Sequence, residues 1–219
     1  MCEWVSERVL LLMPQNKVRC LCLCFETFVC LCCVALQLGM SGALETLCGQ
    51  MYGAEEYRKF GNYTWCATVT LILVCVPISV VWIFTDKILM VFGQDPEISG
   101  AACEYCICLM PALFGHAVLQ ALTRYFQTQS MIFPMVFSSI TSLCLHVPIC
   151  WGLVFALGLG HVGAALAIGV SYWLNVVWLA IYMLYSPACQ KTRIVFSCSA
   201  LLCIPEFLKL AIPSGLMFW

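Results

Sequence analysis

Ionisable and hydrogen-bonding side chains are scarce in this sequence, and their positions decide what chemistry is open to it. Glu104, His116, Ser138, Thr141, His146 and Asn175 all fall inside long apolar runs. An ionisable group at such depth marks a substrate, ion or proton path by default. An imidazole titrates near physiological pH, so His116 and His146 could relay protons, or each could hydrogen-bond a neighbouring helix. Glu104 lies near one end of its run, where an interfacial carboxylate in water is the plainer reading. Ser138, Ser139, Thr141 and Ser142 make a polar patch that could line a cleft or join helices, and Asn175 has the same two readings.

The densest polar cluster is Gly39-Met40-Ser41-Gly42-Ala43-Leu44-Glu45-Thr46-Leu47-Cys48-Gly49-Gln50-Met51-Tyr52-Gly53-Ala54. Gly39 and Ala43, then Gly49 and Gly53, stand four apart, a spacing that lets helix backbones approach closely in lipid. Glu45 and Gln50 fall at the predicted membrane edge. Glu45 is open to a functional role, to capping a helix, or to pairing with Arg58 or Lys59 in a solvated loop.

Other chemistries find no support. Cys30 with Cys33, and Cys103 with Cys106, have the CxxC spacing, but a zinc site needs four ligands and a polar second shell. The surroundings are apolar and no histidine falls at a matching distance, so no metal is expected. There is no Gly-rich phosphate loop of the ATP-binding type, no nucleophile–base pair and no cofactor motif, so the reading is of a non-enzyme. A net charge of −1 gives no nucleic-acid footprint.

The elements that must position these residues follow from composition. The chain has 219 residues, 63% hydrophobic and 10% charged, against about 45–50% and ~25% in soluble domains. One core cannot absorb that excess at this length, so much of the chain faces lipid. The 18 cysteines sit mostly within apolar runs and read as small hydrophobes rather than bridges. No cleavable signal peptide is evident at the N-terminus. A span needs about 20 apolar residues. Residues 64–84, 101–121, 131–157 and 161–185 satisfy this, while 20–44 and 207–219 are partial. The predicted fold is all-α, a polytopic transmembrane helix bundle.

Basic residues orient it. Arg58, Lys59, Arg124, Lys191 and Arg193 fall on one side, which reads as cytosolic; the opposite loops hold Lys87 with Asp86, Asp95 and Glu97. Arg8, Lys17 and Arg19 conflict with a true span at 20–44. Asn62-Tyr63-Thr64 matches a glycosylation sequon, but this orientation places it in the cytosol against the membrane, so it is expected to be unmodified.

The 43–54 block resembles the signature of the plant branch of the multidrug and toxin extrusion (MATE) transporters, with Ala-Leu-Glu-Thr, Cys-Gly-Gln and Tyr-Gly-Ala all present and Met51 in place of a usual small residue. Arg124-Tyr125-Phe126-Gln127-Thr128-Gln129 resembles the family's Arg-Tyr-Leu-Gln-x-Gln stretch, with Phe126 for leucine. Gly163-Ala164-Ala165-Leu166-Ala167 and Lys209-Leu210-Ala211-Ile212-Pro213-Ser214 resemble the starts of its sixth and seventh helices.

The resemblance implies a two-lobe, twelve-helix antiporter that expels small organic substrates in exchange for protons, rocking about a cleft between the lobes. Residues 35–206 would be helices two (in part) to six, about one six-helix lobe. Residues 207–219 would begin helix seven, and 1–34 do not resemble the family, which implies a truncated or mis-started gene product. The family's proton-coupling carboxylate would follow Phe218-Trp219. The alternative is a half-length membrane protein that regulates or pairs with intact transporters without transporting. Location would be the vacuolar or the plasma membrane.

Overall fold

A computed structural model describes residues 37–91, 96–192 and 204–217, and every regular element among them is helical. Lipid offers no hydrogen bonds, so each backbone group of a spanning segment must be satisfied within its own helix. Helix α1 covers residues 37–53. It is followed by α2 (Tyr57–Ile83), the short α3 (Thr85–Val91) and α4 (Pro96–Thr128). Helix α5 (Ile132–Trp151) runs into a π-helical turn (Gly152–Ala156) and then α6 (Gly160–Tyr185); a 3-10 turn (Pro187–Cys189) follows, and α7 is Ile204–Met217. Four of these are long and apolar enough to cross a membrane: Tyr57–Ile83, Ser99–Thr128, Ile132–Ala156 and Gly160–Tyr185.

The spans expected at 64–84 and 101–121 are cores of longer helices, because a turn of polar residues continues α2 back to Tyr57 and α4 to Pro96 and Thr128. Helix α1 also carries the 43–54 cluster almost to its end, so Glu45 stands on a helix and not in a loop. Residues 20–36 of the partial first span, with Cys30 and Cys33, lie outside the described residues. Pro77, Pro111 and Pro148 are helix-interior, whereas Pro134 sits in the first turn of α5, where a missing N–H costs no hydrogen bond. A proline at that position requires no kink.

Helix α4 is central, touching α2, α3 and α6, and α5 packs on α6. Rings fasten one end of the bundle: Tyr52 to Phe60 at 5.9 Å, Phe60 to Tyr125 at 5.3 Å, Tyr125 to Phe126 at 5.2 Å and Phe126 to Tyr182 at 5.8 Å. Phe60, Tyr125 and Phe126 are fully buried. Backbones come closest where side chains vanish. Gly169 of α6 lies against Ala112 of α4, and Gly163 lies directly against the Leu153 carbonyl of the π turn. The outer faces expose Val80, Phe133, Phe137, Ile140, Trp178 and Ile181, an apolar coat that suits acyl chains.

Candidate functional site

Two helices bring the polar residues into one seam. Helix α1 presents Gln37, Ser41 and Glu45 at intervals of four, and α4 presents His116, Gln120 and Arg124 at the same interval. Residues four apart lie on one face of a helix. Gln37 meets His116, and Ser41 and Glu45 meet Arg124, so the two helices run in the same direction and their polar faces register.

The inner part of the seam is a directional chain. Gln120 Nε2 donates to His116 Nε2 (3.1 Å), His116 Nδ1–H donates to Gln37 Oε1, and Gln37 Nε2 donates to Cys75 Sγ (3.1 Å). The acceptor on Gln37 and the donor on Gln120 assign the proton of the neutral ring to Nδ1. Gln37 is fully buried, and the Tyr172 ring lies 5.4 Å from the imidazole. The outer part is ionic. Arg124 Nη1 donates to Glu45 Oε2 (2.6 Å) and to Gln127 Oε1 (3.0 Å), and its Nε donates to Ser41 Oγ (3.3 Å). Glu45 thus pairs with Arg124 and not with Arg58 or Lys59; Lys59 pairs with Glu56 at 2.6 Å.

The remaining residues of the 43–54 cluster divide by face. Ala43 and Leu44 are buried. The Gly39 carbonyl accepts from Ser214 Oγ of α7 (2.7 Å), so the Gly39–Ala43 face does meet a neighbour. A methyl at Gly49 or Gly53 would meet nothing within 4 Å, so among the described residues that second pair packs no helix. Thr46 Oγ1 donates to the Gly42 carbonyl of its own helix, and Gln50 is exposed.

A second seam joins α5 and α6. Ser142 Oγ donates to the Ser171 carbonyl (3.1 Å), and Ser171 Oγ lies 2.7 Å from His146 Nδ1 while donating to Ala167 O (2.8 Å). Ser138 is buried but bonds within its own helix to Met135 O, as half-buried Thr141 does to Phe137 O. Asn175 is half-buried on α6. Glu104 lies at the opposite end of the bundle from Arg124, 3.7 Å from His161 Nε2. Cys103 Sγ donates to Ile83 O at 3.6 Å.

The Arg124–Gln129 stretch earns its composition here. Gln129 is buried and accepts from Thr192 Oγ1 (2.9 Å), whose oxygen also lies 2.8 Å from the Tyr125 hydroxyl. The end of α4 is thereby tied to α1 and to the segment after α6. Gln37, Ser41, Gln120 and Arg124 are the members of the site that reading the sequence did not single out as such. The signal available was the four-residue interval on each helix.

Known proteins resemble this chain in sequence and fold. The MatE family matches residues 22–152, a match that begins inside the segment 1–34 set apart above. Protein DETOXIFICATION 9 and Protein DETOXIFICATION 14 of Arabidopsis thaliana are each 50% identical over 179 residues, covering 82% of this chain. The chain spans 37% of the length of those relatives. Among solved structures, the eukaryotic MATE transporter AtDTX14 is 45% identical with a TM-score of 0.86, covering 90% of this chain and 44% of that one. A multidrug resistance MATE family transporter in an inward-facing conformation is 18% identical with a TM-score of 0.72, over 90% and 45% of the two chains, and shows the shared fold.

Proposed function

This chain belongs to the MatE family, and on that premise we propose that it forms about one lobe of a secondary active transporter that exports small organic molecules in exchange for protons. The observation that supports this best is the likeness to a eukaryotic MATE transporter over nine-tenths of this chain and less than half of that one. Residues 35–206 then correspond to helices two (in part) to six, and 207–219 open helix seven. The integral, multi-pass membrane character is evident from the four spans.

In this reading the α1–α4 seam is the rigid spine of the lobe. Transport by rocking requires each lobe to move as a body, and the chain from Gln120 through His116 and Gln37 to Cys75 ties α4, α1 and α2 together. The Arg124 guanidinium fixes the same pair of helices at the end that carries the basic residues. The substrate is a xenobiotic or an organic metabolite, and the membrane is the vacuolar or the plasma membrane.

The test is reconstitution in proteoliposomes of this chain, alone and fused to the remaining helices of a DETOXIFICATION relative, with uptake of a fluorescent organic cation under an imposed pH gradient. The fusion is expected to take up the cation and to stop when a protonophore collapses the gradient; the chain alone is expected to be silent. Uptake by the fusion that ignores the gradient overturns proton coupling. A silent fusion, where the intact relative transports, overturns the transport reading for this lobe.

A further inference from the structure

The α5–α6 seam holds a group that the spine does not use. Ser171 Oγ has one proton and lies within hydrogen-bond reach of both the Ala167 carbonyl (2.8 Å) and His146 Nδ1 (2.7 Å). With that proton on the carbonyl, which can only accept, the oxygen accepts from Nδ1–H, and this is the tautomer the proposal takes. The neutral ring is left with a bare lone pair on Nε2. His146 is fully buried, and among the described residues Nε2 has no hydrogen-bond partner. Asn175 Oδ1, one helical turn along α6 from Ser171, is likewise buried with no partner among them. Both atoms are acceptors, and what two buried acceptors lack is a proton.

We propose that His146 Nε2 is a proton-binding site of this lobe, in which one proton taken from water adds to the bare nitrogen while Ser171 holds the other face; the two atoms are not hydrogen-bonded to each other in the structure, and the Asn175 carbonyl oxygen, on the Ser171 face of α6, is the acceptor that a shift of the side chains brings to the new N–H. The reaction is the simple addition of a proton to the bare nitrogen; the Nδ1–H bond to Ser171 survives it. His116 differs in kind. Both of its nitrogens are already engaged, by Gln37 and Gln120, so a proton there must first displace the Gln120 amide.

Among the described residues, the helices packed around His146 place no permanent charge at its level. Helix α5, the π turn and α6 contain no Asp, Glu, Lys or Arg. Their titratable groups are Cys144 and Cys150 on α5, and His161, Tyr172, Tyr182 and Tyr185 on α6. Helix α4, which also touches α5, carries Glu97, Glu104 and Arg124 toward its ends, with its thiols, Tyr105 and His116 along it and Tyr125 next to Arg124. A cation held at this depth is costly, so occupancy is expected to depend on the Asn175 oxygen. The inference deepens the proton-exchange reading and rests on it for its meaning, but its test needs no transport.

The experiment is a ¹⁵N NMR titration of the histidine-labelled chain in phosphatidylcholine nanodiscs, from pH about 8 to about 4, the range that brackets imidazole titration. The His146 signal is assigned by its loss in His146→Asn, whose amide can replace the Nδ1–H bond to Ser171. A second assignment, by elimination, comes from His116→Gln with His161→Gln, so a misfolded single variant does not end the test. The expected result is an Nε2 shift of a bare nitrogen at high pH that converts to the protonated value on acidification. Asn175→Leu is expected to lower the midpoint by about one pH unit, a tenfold loss of proton affinity. An Nε2 that keeps its bare-nitrogen shift throughout, or that already carries the proton at high pH, overturns the proposal. Protonation of His146 in a chain whose fusion moves no substrate refutes antiport and leaves this site standing.

Discussion

Replacing Gly163 by alanine sets a methyl carbon 2.8 Å from the Leu153 carbonyl oxygen, 2.9 Å from its carbonyl carbon and 3.1 Å from the Val154 nitrogen. Ordinary contact begins near 3.4 Å, so the α6 backbone and the π turn must separate by about 0.6 Å, and no side chain can yield in their place. Overpacking of this kind costs about 1–3 kcal/mol. Alanine regains up to about 1 kcal/mol of helix propensity, which leaves a net loss of up to about 2 kcal/mol. For a chain of this size that lowers the melting temperature by up to about 8 °C. Gly169→Ala is the control within the same helix. Its methyl meets Ala112 at 3.7 Å, an ordinary contact, so the propensity gain stands alone and the melting temperature is expected to rise. Gly115→Ala falls between them, because the atoms it meets at 3.2–3.3 Å belong to the Trp173 indole, a side chain that can shift but is tied by its Nε1 to the Pro111 carbonyl. The assay is thermal unfolding in detergent, read by a thiol-reactive dye. Cys66, Cys75 and Cys150 are buried in the fold and become reactive as it opens. Should Gly163→Ala melt with or above Gly169→Ala, the close approach of α6 to the π turn is not as described and the packing argument fails.

The spine and the orientation give further expectations. Arg124→Ala is expected to cost about 1–2 kcal/mol in the same unfolding assay, since Arg124 is 20% exposed and bonds three side chains; Arg124→Lys recovers only part of this, because an ammonium cannot fork between Ser41 and Glu45. His116→Leu leaves the fully buried Gln37 amide oxygen without its donor and is expected to cost about 1–3 kcal/mol. Glu104→Gln removes a carboxylate that lies 3.7 Å from His161 Nε2 and is 63% exposed, so it is expected to cost at most about 1 kcal/mol in the same assay. Asn62 is expected to carry no glycan in a eukaryotic host, seen as no mobility shift on glycosidase treatment. Thr64, the third residue of that sequon, is fully buried within α2 with its hydroxyl bonded to Phe60 O, and a glycan there would invert the orientation.

The spans were legible because lipid leaves a sequence little freedom. Residues 131–157 and 161–185 carry no Asp, Glu, Lys or Arg, and such runs have no other stable use. Their ends were less legible. Arg58 and Lys59 look like a loop in a hydropathy reading, yet they ride the first turn of α2, since a helix that reaches the interface loses nothing by continuing into water. The site shows the same division. Glu45 and His116 stood out as polar residues in apolar surroundings, but the partner of Glu45 was sought nearby in sequence, at Arg58 and Lys59. Its partner Arg124 lies 79 residues away. That pairing exists because α1 and α4 run the same way and lie side by side, a fact of topology that no local pattern encodes. What each helix does encode is its half of the match: Gln37, Ser41 and Glu45 on one, His116, Gln120 and Arg124 on the other, both at intervals of four. Two polar stripes of equal period inside apolar helices each need a partner, since neither can face acyl chains without cost. Each is the most economical partner for the other, so a pair of such stripes in a membrane sequence is itself an argument that their helices touch.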